Sequence, residues 1–164
     1  MKPLVNLSEV PLREHRHGER YAARLGAIAP LIGARKLGCR IAVVPPGSRA
    51  WPFHSHYANE ELFLILEGSG TLRMGNAEYP LRSGDLVCAP AGGLDTAHQI
   101  VNTSSADLRY LCISTMLEPD VTLYPDSGKF GVFAGAPPGG RREARLFEAA
   151  ARLSDRVDYW EGED

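Results

Sequence analysis

Cysteine is scarce in this sequence, and the few cysteines lie far apart. Cys39, Cys88 and Cys112 are the three thiols among 164 residues, and none of them belongs to a C-x-x-C pair. A disulfide framework and a thiolate metal site both need more cysteines or closer spacing. We therefore expect reduced, mostly buried cysteines that pack as small apolar residues.

Long apolar runs and an excess of basic residues are also missing. The first residues, 1–6, lack the features of a secretory signal, and no later stretch is long and apolar enough to span a bilayer. We expect a cytoplasmic protein with no membrane partner. Eighteen basic side chains against twenty acidic ones give a formal net charge of -2. Without a basic stripe to follow a phosphate backbone, nucleic acid is not an expected partner.

Short apolar runs separated by Gly, Pro and Asn turns fill the middle of the chain, which predicts an all-β sandwich or barrel. The length fits one domain. The runs are rich in residues that suit a pleated surface, and the predicted strands are Cys39–Val44, Glu61–Glu67, Thr71–Met74, Leu86–Ala89, His98–Val101 and Leu108–Thr115.

Two histidines stand one residue apart just before the second predicted strand. In an extended chain His54 and His56 point to the same face, so both imidazoles would face the interior. Glu61 follows at an odd spacing, so residues 57–60 must form a turn that resets the register, and Asn59 suits such a turn. The strand that begins at Glu61 is apolar on both faces, which predicts a covering sheet or subunit on its outside.

These residues resemble the first signature motif of the cupin superfamily. That motif has two histidines one residue apart, then a glutamate, then six residues and a glycine, as in His54, His56, Glu61 and Gly68. The spacing to Gly68 selects Glu61 over its neighbour Glu60. The resemblance covers roughly residues 40 to 115.

The second cupin motif is matched further along the chain. It runs from a glycine through a proline and a glycine to a histidine and an asparagine, here Gly84, Pro90, Gly92, His98 and Asn102. Between the second glycine and the histidine this chain has three residues more than the usual pattern. The loop at the barrel mouth is therefore expected to differ in shape.

The resemblance implies a double-stranded β-helix, or jelly-roll barrel, in a single domain and in a homodimer. We expect residues 1–164 to form one domain, with an N-terminal arm (1–35), a barrel core (about 36–118) and a C-terminal extension (119–164). Apolar residues at helical spacing predict a short amphipathic helix within that extension, over residues 142–153.

A metal site follows from the resemblance. It implies that His54, His56, Glu61 and His98 hold one divalent metal per chain. Three neutral imidazoles and one carboxylate suit Zn, Fe, Mn, Ni or Co, and the net charge near +1 favours an anionic or vicinal oxygen ligand.

The segment Tyr124–Lys129 extends the resemblance to small bacterial cupins that carry provisional sugar-phosphate isomerase labels. We therefore expect a metal-dependent isomerase whose substrate is a small oxygen-rich molecule, such as a sugar, a sugar phosphate or a hydroxy or keto acid. The metal would act as a Lewis acid while a base removes a proton beside the carbonyl. Glu61 and Tyr57 are the catalytic candidates, and the substrate-binding candidates are Phe63, Asp95, Tyr110 and Lys129.

Two other functions are compatible with the same ligand set. An Fe(II)-dependent dioxygenase would use the open metal positions for substrate and O₂. A non-catalytic binding or sensing protein would use the barrel to capture a small molecule. One fold hosts many functions, so the family resemblance alone leaves all three open.

Overall fold

The structure is a computed structural model that describes residues 2–163. Within that range, thirteen strands, one short α-helix and five 3-10 turns make up the regular structure. The strands are β1 (Arg13–His17), β2 (Tyr21–Ala27), β3 (Leu37–Val44), β4 (Ser55–His56), β5 (Glu61–Glu67), β6 (Ser69–Met74), β7 (Ala77–Arg82), β8 (Leu86–Ala89), β9 (His98–Val101), β10 (Leu108–Thr115), β11 (Asp120–Tyr124), β12 (Lys129–Ala134) and β13 (Phe147–Arg152), and the helix is α1 (Ala29–Ile32).

Two layers of antiparallel strands enclose the interior. One layer is a six-stranded sheet in the order β1-β2-β3-β10-β5-β8. The other combines a three-stranded sheet, β7-β6-β9, with a four-stranded sheet, β13-β12-β11-β4. A bridge between His54 and His98 links these two smaller sheets. This arrangement confirms the predicted all-β double-stranded β-helix. Strands β2, β11 and β12, which lie outside residues 36–118, are part of its sheets.

The main core fills the space between the layers. It contains fourteen buried residues, among them Ile65, Leu108 and Tyr110, each at most 1% exposed. Alternation along β10 explains this placement, because Leu108, Tyr110 and Cys112 point inward while their neighbours stay half-buried. The interior beneath the barrel mouth is therefore packed with side chains.

A second, smaller cluster covers the outside of the six-stranded sheet. Val10, Ile28 and Ile41 are buried there, and Leu66 and Leu111 pack against them. The N-terminal arm and α1 thus cover part of the outer face of β5 and β10. The cover predicted for this face comes in part from the chain itself.

The predicted helix over residues 142–153 is wrong. Arg142–Ala144 forms one 3-10 turn, and Phe147–Arg152 is strand β13, paired antiparallel with β12. A helix there would have no surface on which to bury its apolar face, since Leu146 is 88% and Phe147 55% exposed. Pairing with the edge of β12 instead satisfies the backbone of this segment.

The other sequence predictions about elements fare better. All six predicted strands are present, and four of them, β5, β8, β9 and β10, have the predicted bounds. The cysteines are free, as expected, but Cys88 is exposed, Cys39 is half-buried and only Cys112 is buried. Among residues 2–163, no helix is long and apolar enough to cross a membrane.

Candidate metal centre

Strand pairing brings the predicted ligands to one end of the barrel. His54 and His98 lie opposite each other in the bridge between the two smaller sheets, with each backbone N–H donating to the other's carbonyl oxygen, at 3.1 and 2.7 Å. His56 ends β4, which pairs with β11, and Glu61 begins β5 in the facing layer. Residues distant in sequence therefore meet at the mouth of the barrel.

The predicted turn between His56 and Glu61 is present, and Asn59 anchors it. Residues 57–60 form no strand, and the Asn59 side chain is 2% exposed. Its Oδ1 accepts from the backbone N–H of Leu117 at 2.8 Å, and its Nδ2 donates to the Leu117 carbonyl at 3.0 Å. This anchoring resets the register so that Glu61 turns toward the histidines.

The side-chain donor atoms converge on Glu61. Its Oε2 lies 3.0 Å from Nε2 of His98, 3.7 Å from Nε2 of His56 and 3.8 Å from Nε2 of His54. Donors that share one metal at about 2.1 Å are separated by about 3.0 to 3.5 Å. The donor atoms of His54, Glu61 and His98 all lie within 4.8 Å of one another. The Glu61–His98 distance lies within this range and the distances to His56 and His54 lie just above it, so the cluster could hold one metal ion.

The opposite ring nitrogen of each histidine is already occupied. Nδ1 of His54 contacts the Pro52 carbonyl at 2.8 Å, and Nδ1 of His98 contacts the Thr96 carbonyl at 3.1 Å. Because a carbonyl oxygen can only accept, both Nδ1 atoms must carry the hydrogen. In the neutral rings Nε2 then has a free lone pair, which is the tautomer that a metal ligand needs.

Nδ1 of His56 is held by a carboxylate that the sequence motifs do not contain. Asp120, at the start of β11, is fully buried, and its Oδ2 lies 2.6 Å from Nδ1 of His56. Its Oδ1 accepts from the backbone N–H of Ala58 at 3.1 Å. A carboxylate behind a ligating histidine fixes the ring and raises its basicity. An aspartate opening the apolar run Asp120–Tyr124 is the sequence signal that could have indicated it.

The chemistry of the donor set fits a cation. With both Nδ1 hydrogens in place, neutral His54 and His98 offer lone pairs toward Glu61, which itself only accepts. Acceptors facing acceptors at 3.0 to 3.8 Å need a positive charge between them, either a proton or a metal ion. Three imidazole nitrogens and one carboxylate match the preferences of borderline divalent metals.

The electrostatics of the site hold Glu61 ionised and His54 neutral. Burial opposes ionisation of Glu61, but the close contact of its carboxylate with His98 and the positive charge that the three histidines carry when protonated outweigh burial and lower its pKa to about 2. Burial, together with the charges of His98 and His56, lowers the pKa of His54 to about 3. Burial also disfavours charge on His56, yet the Asp120 hydrogen bond and the nearby carboxylates raise its pKa.

The rim of the site carries two more of the predicted residues. Tyr57 is 55% exposed, and its hydroxyl lies 3.5 Å from where a Cβ on Gly93 would be, with the Asp95 carboxylate on the same side at 3.9 Å. Asp95 belongs to a 3-10 turn, Leu94–Thr96, within the longer loop before His98. The N–H of Gly92 donates to the His56 carbonyl at 2.8 Å and so ties this loop to the metal centre.

The remaining predicted residues lie elsewhere. Phe63 and Tyr110 are buried, at 4% and 1% exposure, with Phe63 packed against His98 at 5.4 Å between ring centroids. They form the floor beneath the ligands. Lys129 lies outside the barrel, with its Nζ 5.4 Å from the centre of the Tyr124 ring. That ring stacks on His54 at 6.2 Å.

Comparison with known proteins agrees with the motifs. The family model described as Cupin domain matches residues 40–114. An uncharacterised protein of Methanocaldococcus jannaschii is 37% identical over 73 residues, which are 44% of this chain and 55% of that protein. A Thermotoga maritima protein named oxalate-binding protein is 31% identical over 74 residues, which are 45% of this chain and 58% of that protein. The chain thus spans little more than half the length of these relatives.

A solved structure resembles nearly the whole chain. It is a protein of Acidithiobacillus ferrooxidans that carries the provisional name sugar phosphate isomerase, and it is 25% identical with a TM-score of 0.80. The match covers 96% of each chain. It includes the strands on both sides of residues 40–114. With both motifs, the barrel and these matches in agreement, the chain contains a cupin domain over residues 40–114.

Proposed function

We propose that this cupin is a metal-dependent isomerase of a small, oxygen-rich substrate such as a sugar phosphate. The observation that carries the proposal is the convergence of three histidine Nε2 atoms on the Glu61 carboxylate, with every Nδ1 already held. The provisional name of the Acidithiobacillus ferrooxidans protein, similar over 96% of each chain, supports the choice of substrate class.

Different residues of the chain would hold the metal and transfer the proton. His54, His56, His98 and Glu61 would hold the metal. A divalent metal bound there supplies Lewis-acid polarisation of a substrate carbonyl. Glu61 contacts all three histidines, so it serves best as a ligand that stays in place. The packed floor below the ligands leaves the rim as the approach for a substrate.

Proton transfer is assigned to the rim. Tyr57 is exposed there, and its hydroxyl and the Asp95 carboxylate both lie beside Gly93. A phenol beside a carboxylate can relay a proton to and from a carbon next to a carbonyl, which is the step that aldose–ketose isomerisation requires. Tyr57→Phe is therefore expected to lower kcat about 100-fold with little change in KM.

The test is hydrogen exchange at the carbon beside the carbonyl. Metal-free protein is reloaded separately with Mn, Zn, Fe, Co or Ni and incubated in D₂O with glucose 6-phosphate, mannose 6-phosphate, ribose 5-phosphate or arabinose 5-phosphate. Proton NMR would show loss of the C2 hydrogen and formation of the ketose. We expect this hydrogen exchange and ketose formation with at least one metal, in wild type and in Glu60→Gln, and not in Glu61→Gln.

Glu60→Gln is the matched control because it makes the same charge change one residue away, on an exposed side chain. Exchange that Glu61→Gln retains would contradict the proposal. If none of the metal-loaded forms exchanges hydrogen on any of the four substrates, that result would also contradict the proposal. Iron-dependent oxygen consumption in these samples would replace the isomerase with an oxygenase.

A non-catalytic binding function is the second candidate, and one observation favours it. The Thermotoga maritima relative, 31% identical over 74 residues, is named oxalate-binding protein. Oxalate is a bidentate oxygen ligand of the type that two open metal positions accept. Calorimetric binding of oxalate to the metal-loaded chain, with no exchange or oxygen uptake on any substrate, would support this candidate over the isomerase.

We also propose that the chain forms a homodimer through the outer face of β5 and β8. Leu62 and Leu64 are half-buried, and opposite them in the β5–β8 pair lie exposed Cys88 and Leu86, the latter 66% exposed. The N-terminal arm covers other parts of this face and leaves these four side chains to solvent. Light scattering should give twice the chain mass for wild type and the chain mass for Leu86→Asp, and a monomeric wild type would contradict the dimer.

A further inference from the structure

A groove outside the barrel adjoins the metal centre without being part of it. It has a volume of about 770 Å³. The β1–β2 hairpin, the loop of residues 49–53 and the turn between β11 and β12 form its walls. Pro52 and Tyr124 line it, and both contact His54, through the carbonyl at 2.8 Å and the stacked ring at 6.2 Å.

Positive charge exceeds negative charge in this groove. Arg20, Arg49 and Lys129 line it, and across residues 2–163 none of them has a carboxylate within ion-pair distance. Among the residues that the structure describes, Asp126 is the only acidic one that lines the groove, and two hydrogen bonds from Arg73 at 3.0 and 3.2 Å already engage it. The three cations are therefore available to an anionic ligand.

The groove is held in shape by its surroundings. The N–H of Arg49 donates to the Arg20 carbonyl and its carbonyl accepts from Ala22, both at 3.2 Å, so the loop and the hairpin are joined. Arg73 donates to Gln99 at 3.0 Å, and Gln99 in turn donates to the Trp51 carbonyl at 2.9 Å. Arg73 thereby braces both the turn that carries Asp126 and the loop that carries Arg49.

Arg49 has unused hydrogen-bonding capacity. In the described part of the chain its Nε is buried and has no partner. Its charge and that of Arg20 reach Asp126, whose pKa lies below its ordinary value, first because of the Arg73 hydrogen bonds and further because of these two arginines. The positive charges of Arg20 and Arg49 thus both act on the acidic residue that lines the groove.

Aromatic rings line the groove beside these cations. Tyr21, Trp51, Phe53 and Tyr124 are among its lining residues. Guanidinium groups and an ammonium recognise phosphate through charge-assisted hydrogen bonds. Aromatic faces pack against the apolar side of a compact organic group. A free inorganic anion would use only the cations, whereas an organic phosphate would use both features.

We propose that this groove is a binding site for a small organic phosphate ester, with the phosphate held by Arg20, Arg49 and Lys129 and the organic group packed on Tyr21 and Trp51. The site is separate from the metal ligands and does not depend on the proposed isomerase activity. A substrate, a product or an effector that bears a phosphate ester would all have the required chemistry.

The test is calorimetric titration of metal-free protein, kept in a chelator, with glucose 6-phosphate, inorganic phosphate and glucose. We expect glucose 6-phosphate to bind at least about fivefold more tightly than inorganic phosphate, with no detectable binding of glucose. Arg20→Gln/Arg49→Gln should weaken the binding of glucose 6-phosphate at least about tenfold, because the loss of even one of the two charge-assisted contacts costs about that much. Arg82→Gln/Arg156→Gln makes the same charge change at exposed arginines outside the groove and should change affinity less than about twofold.

Other outcomes overturn the proposal. Absence of glucose 6-phosphate binding would do so, as would equal weakening by the two double variants, since that would reduce the effect to net charge. Equal affinity for inorganic phosphate and glucose 6-phosphate would overturn the assignment of an organic ester. If Arg20→Gln/Arg49→Gln does not fold, exposed Lys129→Gln takes its place, and unchanged affinity in Lys129→Gln would contradict the site.

A failure of this titration is distinct from a failure of the isomerase. Because the protein is metal-free, the titration does not involve the metal centre. Hydrogen exchange by the metal-loaded protein without groove binding would leave the isomerase standing and remove this site. Groove binding without hydrogen exchange would do the reverse.

Discussion

The metal centre and the basic groove lie side by side, yet they are built in opposite ways. In the metal centre each histidine has its second nitrogen fixed, and the free atoms are all acceptors. In the groove the free groups are donors, and they belong to flexible cationic side chains, of which Arg20 and Lys129 are exposed. The first arrangement suits a cation in a fixed geometry. The second suits an anion that is recognised mainly by charge.

The two sites also differ in how strongly solvent screens their charges. His56 and His98 are 5% and 3% exposed, so their interactions are little screened by solvent. Binding in the groove depends on cations in contact with water, and the strength of such ionic interactions depends on salt concentration and geometry. Perturbations should therefore act on one site while leaving the other nearly unchanged.

The largest expected effect comes from removing the carboxylate behind His56. Asp120→Ala should weaken metal binding about 10- to 100-fold, because the His56 ring loses the partner that fixes its orientation. Competition with a chelating dye measures this affinity. Asp126→Ala, which removes a carboxylate in the groove, is the matched control and should leave metal affinity within about twofold. Equal losses in both variants would contradict the distinction between the sites.

The second effect is a pH dependence of stability in the metal-free protein. The folded pKa of His54 is about 3, below its ordinary value of 6.5, so the unfolded chain binds the proton more readily between these two values. The contribution of neutral His54 to the free energy of unfolding is therefore fully present above pH 6.5 and is lost as the pH falls toward 3. Glu61 has a folded pKa of about 2, so its contribution to the free energy of unfolding is also lost as the pH falls below 4.5.

His56 acts in the opposite sense. Its raised pKa gives a contribution that is present below pH 6.5 and is lost as the pH rises through its folded value. His54→Gln isolates the His54 effect. Urea unfolding between about pH 4 and 6 should show a slope that is shallower in the variant by up to about 1.4 kcal/mol per pH unit. Parallel curves for wild type and variant would mean that His54 is not held neutral by its surroundings.

The smallest effect is the response to salt. Raising ionic strength from about 0.05 to 0.5 M shortens the screening length from above 10 Å to below 5 Å. Binding of glucose 6-phosphate in the groove should weaken about threefold, while metal affinity should change less than about twofold. Calorimetry and dye competition at both salt concentrations provide the comparison. Salt-independent binding of glucose 6-phosphate would argue against recognition by exposed cations.

The two sites also differ in how far the sequence predicts them. His54, His56 and Glu61 occur within one short motif, so the spacing of residue types along the chain is enough to group them. Asp120 joins them only because β4 pairs with β11, a contact between segments 64 residues apart. The groove combines a hairpin, a loop and a turn, and no local pattern connects Arg20, Arg49 and Lys129.

The C-terminal segment shows a different limit. Phe147–Arg152 reads as apolar residues with charged neighbours, a pattern that fits a helix face as well as an edge strand. The choice is made by the free edge of β12, which offers backbone partners, and by the lack of a surface for a helix. Between Glu61 and Thr115, by contrast, every strand except β7 is predicted, because turn residues and inward alternation agree.

The most direct test of the account is elemental analysis of the purified, reconstituted protein, scored as metal per chain. Wild type should hold about one divalent metal, His54→Ala/His56→Ala should hold none, and His15→Ala/His17→Ala, which removes the other histidine pair from exposed positions on β1, should still hold about one. A wild-type chain without metal after reconstitution, or metal retained in His54→Ala/His56→Ala, would contradict the assignment of this cluster as the metal centre.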